Sequence, residues 1–155
     1  MVSDELTVTT RHLDATVDDV YAVLSDGWLL PLWVVGATHM RDVDAPWPAE
    51  GARAHHQVGA WPFTLSDSTR VVENGWPRRL VLQARAWPLG EARIELSAEP
   101  GDGGVTVRMA EAPTHGIGRW LDNPLARWLL AARNRESLNR LAALVENRAT
   151  VTVQR

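Results

Sequence analysis

Leu6, Val8 and Thr10 alternate with Thr7, Thr9 and Arg11, the two-residue period of a strand. Asp14-Ala15-Thr16 then offers an N-cap, and Val17, Val20, Tyr21 and Leu24 follow at helical spacing until Asp26-Gly27. Leu29–Val35 reads as a second short helix, with Pro31 in its first turn and Gly36 at its end. Beyond it the period returns to two over Thr38–Asp44, Ala52–Val58, Phe63–Glu73, Arg79–Trp87, Ala92–Glu99 and Val105–Glu111. Turn residues separate these runs at Pro46–Pro48, Gly59–Pro62, Asn74–Pro77, Pro88–Gly90 and Pro100–Gly104, and such short connections imply antiparallel hairpins. Asp122-Asn123-Pro124 caps a long final helix reaching about Asn147, and 149–155 reads as a loose polar tail. Strand, two short helices, six strands and a long helix predict an α+β domain, not a doubly wound one. No repeat or linker divides residues 1–148, which are expected to form a single domain.

Composition narrows the chemistry. The 155 residues are 45% hydrophobic and 23% charged, ordinary for a globular domain that buries its own core. Cysteine is absent, which excludes disulfides, thiolate nucleophiles and Cys-based zinc sites. All sixteen basic residues are Arg, which excludes a Schiff-base or P-loop lysine. The net charge of −3 gives no global basic field to draw nucleic acid or an anionic membrane. The longest apolar stretch, Trp28–Ala37, contains Pro31 and is far short of the ~20 residues of a membrane span. With no basic n-region or apolar h-region at the start, a cytoplasmic location is expected. His55 and His56 are strand neighbours pointing to opposite faces, so they do not share a metal, and neither HExxH nor GxSxG occurs. No metal and no cofactor is expected. Eight Trp accompany one Phe and one Tyr, and Trp47, Trp61, Trp76 and Trp87 precede prolines in or beside turns. They either rim a pocket mouth or cap the ends of the core.

The element order resembles the helix-grip fold of the START, polyketide cyclase/dehydrase and birch-pollen-allergen superfamily, SRPBCC. Thr16-Val-Asp-Asp-Val-Tyr-Ala-Val-Leu24 and Leu32-Trp-Val-Val-Gly36 add to the likeness. Asp67-Ser-Thr-Arg-Val71, Arg79-Leu-Val-Leu82 and Arg133-Asn-Arg-Glu-Ser-Leu-Asn-Arg-Leu141 look like an actinobacterial branch of it. The resemblance implies a curved seven-stranded antiparallel sheet wrapped around the long C-terminal helix and enclosing an apolar cavity. It identifies a fold more than a reaction.

Strand parity selects the wall of such a cavity. Leu80, Leu82 and Ala84 share a side against Arg79, Gln83 and Arg85. Ile94 and Leu96 oppose Arg93, Glu95 and Glu99, while Val107 and Met109 oppose Thr106 and Arg108. Three polar residues fall on the apolar parity: His56, Asp67 beyond Phe63 and Leu65, and Glu111 beyond Met109. His56 and Asp67 are nearly equidistant from the Trp61-Pro62 turn, so a hairpin places them opposite each other. Pairing with ionised Asp67 predicts a raised imidazole pKa, with burial pushing the other way. The three serve as a structural set, as ligand contacts or as weak acid/base candidates. On the long helix Leu130, Leu138, Leu141 and Val145 form a stripe with Asn134 in its middle, facing either a ligand or the sheet. Arg133, at the stripe's edge, either pairs with a carboxylate or, as the preferred reading, is solvated. Leu125, Trp128 and Leu129 lie on nearly the opposite side, either covered by Thr114–Trp120 or exposed as a subunit contact.

The leading functional expectation is a monomeric or homodimeric domain holding a small apolar or aromatic molecule, lipid- or polyketide-like. It carries no role in nucleic-acid binding or membrane insertion. An alternative is a polyketide cyclase/dehydratase-like lyase or isomerase using His56, Asp67 or Glu111. A third is a protein-interaction module of the chaperone co-activator type.

Overall fold

The computed structural model of the chain describes residues 6–60, 62–86, 90–116 and 123–153. The first strand, β1 (Thr7–Leu13), leads into α1 (Val17–Leu24), a single 3-10 turn (Gly27–Leu29) and α2 (Leu30–Trp33). Six strands follow: β2 (Ala37–Val43), β3 (Arg53–Ala60), β4 (Phe63–Gly75), β5 (Arg79–Ala86), β6 (Gly90–Gly101) and β7 (Gly104–Gly116). The last element is α3 (Pro124–Val153). All seven strands form one antiparallel sheet in the order β1-β7-β6-β5-β4-β3-β2. Register shifts interrupt the ladders of β2 with β3, β4 with β5 and β6 with β7, and such bulges bend and twist the strands they interrupt. The result is the curved sheet and long C-terminal helix of a helix-grip fold.

Local chemistry explains the punctuation. Thr16 and Asp19 form a reciprocal capping box that starts α1, and the Asn123 side chain accepts from the Ala126 N–H at 2.7 Å to start α3. The β6–β7 turn brings Gly104 so close to the Leu13 carbonyl that a Cβ there would collide with it. Pro113 lies inside β7, yet beyond Glu111, the last residue paired with β1, and beside the register shift against β6. A proline is tolerated there because the ladder is already interrupted.

Two expectations about boundaries need correction. Strand β7 does not end near Glu111 but runs to Gly116. Residues 149–153 are helical, not a loose tail, because no Gly or Pro follows Asn147 to stop the helix. Thr150 turns its hydroxyl back to the Glu146 carbonyl at 2.9 Å, which removes a group that would compete with the helix. Trp47 and Trp76 pack against the main core beside α1: Trp47 Nε1 donates to the Leu24 carbonyl at 3.3 Å, and Trp76 stacks on Tyr21 at 6.0 Å between centroids. Trp61 and Trp87 lie outside the described residues.

The core sits between the inner sheet face and one side of α3. Leu138, Leu141, Ala142 and Val145 meet Val20, Val23 and Leu24 of α1 together with Leu13, Leu80, Leu82, Leu96, Val105 and Val107. The opposite sheet face is polar, with Arg79 bridging Glu95 at 2.9 Å and Glu73 at 3.5 Å, and Arg93 meeting the same Glu95.

Candidate functional site

The inner face is not uniform along its length. On β4 the exposure of same-side residues climbs from 1% at Val71 through 8% at Asp67 to 83% at Phe63. On β5, Leu80 and Leu82 are buried while Ala84 is only partly so, and on β6 Leu96 and Ile94 are buried while Ala92 is only partly so. On α3, Val145, Leu141 and Leu138 are buried and Leu130 is only partly so. Ala84 pairs with both Thr69 and Ala92, so these rows lie at one level of the sheet. The packing is therefore closed at the α1 end and open at the end where β4 begins.

Polar side chains gather where the face begins to open. The register pairs His56 with Asp67, as their spacing from the turn predicts. The imidazole, however, bonds elsewhere: its Nε2 lies 2.9 Å from the Thr69 hydroxyl. Its buried Nδ1 has no side-chain partner, and the Gln57 backbone is near enough to pull its pKa upward. The expected rise in its pKa is not found. Burial dominates and holds His56 below its ordinary value; the Asp67 charge and the Gln57 backbone pull upward but do not win. Asp67 accepts at Oδ1 from the Ser68 N–H at 2.8 Å, and Arg41 donates to the Asp67 carbonyl at 3.3 Å. His55 points away, as alternation requires, and bonds Asp44 at 3.2 Å.

Glu111 is buried on β7 opposite Ile94. Arg133 is not merely solvated: its Nη1 reaches Glu111 at 3.3 Å and its Nε donates to the Val35 carbonyl at 3.1 Å. Ser137, the next turn along, accepts from the Val35 N–H at 3.2 Å. Helix α3 thus holds both backbone groups of Val35 and fixes the loop after α2. Asn134 is 1% exposed, and its Nδ2 makes no hydrogen bond.

Among the other residues predicted for the wall, Leu82, Ile94, Leu96, Val107, Met109 and Leu138 belong to the packed core. Leu65 does not: it is exposed, close to the tip of the β3–β4 hairpin. Thr69 and Ser137 were missed by sequence reasoning, although Thr69 shares the parity of Asp67, and Ser137 lies one turn from Asn134. Leu125, Trp128 and Leu129 are exposed. Among the described residues no cluster of His, Asp and Glu could hold a metal, and no helix is long and apolar enough to cross a membrane. A separate surface groove of about 520 Å³ lies at the other end, between Ala15–Asp18 and the Pro100–Gly104 turn.

The model of a family described as polyketide cyclase / dehydrase and lipid transport matches residues 5–146. The chain belongs to that family. Solved structures share this family member's fold at low identity. A protein from Nitrosomonas europaea is 16% identical with a TM-score of 0.68, covering 96% of this chain and 98% of its own. A protein from Rhodobacter sphaeroides is 24% identical with a TM-score of 0.67, covering 89% of each chain. The di-domain ARO/CYC StfQ from the steffimycin biosynthetic pathway is 14% identical with a TM-score of 0.68; the match covers 92% of this chain and 51% of StfQ. At these identities the likeness concerns the fold alone. No curated protein sequence matches the chain significantly.

Proposed function

We propose that this protein, a single helix-grip domain over residues 1–148, binds a small apolar or aromatic molecule between its inner sheet face and α3. The observation that carries the reading is the graded burial. One face passes from fully packed side chains to exposed Leu65 and Phe63 while small residues, Ala84 and Ala92, occupy the central strands. A face built only to be core would be filled at that level by larger side chains. Concave apolar sites with a few convergent polar groups are the usual form of small-molecule pockets. The family description and the likeness to StfQ agree with such a ligand.

Titration with an apolar fluorescent probe, N-phenyl-1-naphthylamine, tests the reading. Saturable binding is expected in the wild type and lost in Ala84→Trp, whose bulk occupies the opening. His56→Ala should weaken it by only about 1 kcal/mol, the worth of one neutral hydrogen bond. Absence of saturable binding across a panel of lipids and aromatics would refute it.

A second reading, a polyketide-type cyclase or dehydratase, is favoured by one feature. His56 is held neutral by burial beside Asp67, with no side-chain partner at Nδ1, which suits a general base. Cyclisation or dehydration of a poly-β-keto mimic, abolished in His56→Ala, would establish it.

A further inference from the structure

We infer that the inner end of the bound molecule is a neutral oxygen function, a ketone, ester or phenol and not a carboxylate, and that Asn134 recognises it. The inference deepens the binding reading above and rests on it. Asn134 stands mid-stripe between Leu130 and Leu138, at the level where α3 passes from buried to partly exposed. Its Nδ2 is buried without a partner. A leucine would continue the stripe and fill the position without leaving a donor unsatisfied, so the amide is costly as plain core. His56 Nδ1, on the sheet side, is a second buried atom without a side-chain partner, although the Gln57 backbone lies near it.

Charge at this end decides what can meet them. Two buried carboxylates, Asp67 and Glu111, are already present. The described cations that reach them are engaged: Arg133 with Glu111 and the Val35 carbonyl, Arg41 with the Asp67 carbonyl. Glu111 is already neutralised by Arg133, so a ligand carboxylate would meet the Asp67 charge with every described cation at this end already engaged. A pure hydrocarbon would leave the Asn134 donor unsatisfied. A carbonyl or phenol oxygen accepts from Asn134 Nδ2 without adding charge. Asn134 is therefore a specificity-determining contact, and the engaged cations leave none to receive an acid.

Three compounds of matched shape test this by displacing N-phenyl-1-naphthylamine at pH 8: 2-acetylnaphthalene, 2-ethylnaphthalene and 2-naphthoate. The ketone is expected to bind about five- to tenfold tighter than the hydrocarbon, the worth of one hydrogen bond. The carboxylate should bind more weakly than either. Asn134→Leu should erase the ketone's advantage and leave 2-ethylnaphthalene bound as well or better. Naphthoate binding as tightly as the ketone, or a ketone advantage that survives Asn134→Leu, overturns the inference. If Asn134→Leu fails to fold, the wild-type ranking and Asn134→Ala decide. Saturable probe binding with all three compounds ranking alike defeats only this assignment. No saturable probe binding defeats the binding reading and this inference together.

Discussion

Leu141 and Leu130 lie on the same stripe of α3, three turns apart, and differ in what surrounds them. Leu141 is fully buried among α1 and the inner strands, whereas Leu130 is partly exposed near the opening. Replacing Leu141 by alanine removes three carbons, about 2.4 kcal/mol at ~0.8 kcal/mol per methylene. Rigid neighbours at the closed end cannot collapse into the space, so a cavity contribution raises the loss to about 3–4 kcal/mol. At Leu130 part of the side chain already meets solvent and the space left is open to water, so only about 1 kcal/mol is expected. Urea melts of the two variants with equal m-values measure the difference directly. Equal losses in Leu141→Ala and Leu130→Ala would show that the packing between sheet and helix has no open end, and the argument for a binding site would fall with it.

Other consequences concern charge and turns. His56 should titrate below about 6.5 by NMR, and lower still in Asp67→Asn, since that charge is the main upward influence. Because its folded pKa is depressed, its contribution to stability is intact above about pH 6.5 and lost as pH falls through the folded value; a folded pKa above 6.5 would contradict this. Arg133→Met should cost roughly 1–3 kcal/mol, less than a fully buried pair because the Arg133 side chain is 38% exposed, and more than Glu111→Gln, which leaves unpaired only the partly solvated guanidinium and not a buried carboxylate. Denaturant melts giving the opposite order would refute the pairing. Gly104→Ala should destabilise by roughly 1–3 kcal/mol, because the new Cβ meets the Leu13 carbonyl and the β1–β7 ladder must shift; an unchanged midpoint would count against that approach.

What could be read from the sequence followed the range of the interactions involved. Alternation along β5, β6 and β7 places Leu82, Ile94 and Val107 on the inner face because a two-residue period is a local property. His56 and Asp67 face each other for the same reason: a hairpin's register follows from its turn. The partner of the imidazole was not legible, since choosing Thr69 over Asp67 depends on side-chain rotamers within the fold. Its depressed pKa was likewise hidden, because depth of burial belongs to the assembled sheet and helix. Arg133 gave no local sign of Glu111, on a different element and 22 positions away. Leu65 had the right parity but lies near the hairpin tip, where exposure depends on what the rest of the fold covers, which parity does not carry. Trp47 and Trp76 could be placed beside turns, yet only the fold decides which end of the core those turns close.

The most direct test of the account is a methyl-resolved NMR map of the protein saturated with N-phenyl-1-naphthylamine. The account predicts shifts at Ala84, Ala92 and Leu130, around the opening, with Val20, Val23 and Val105 at the closed end unchanged. Shifts confined to the exposed Leu125 and Leu129, or to Ala15 and Val17 beside the groove at the other end, would contradict it.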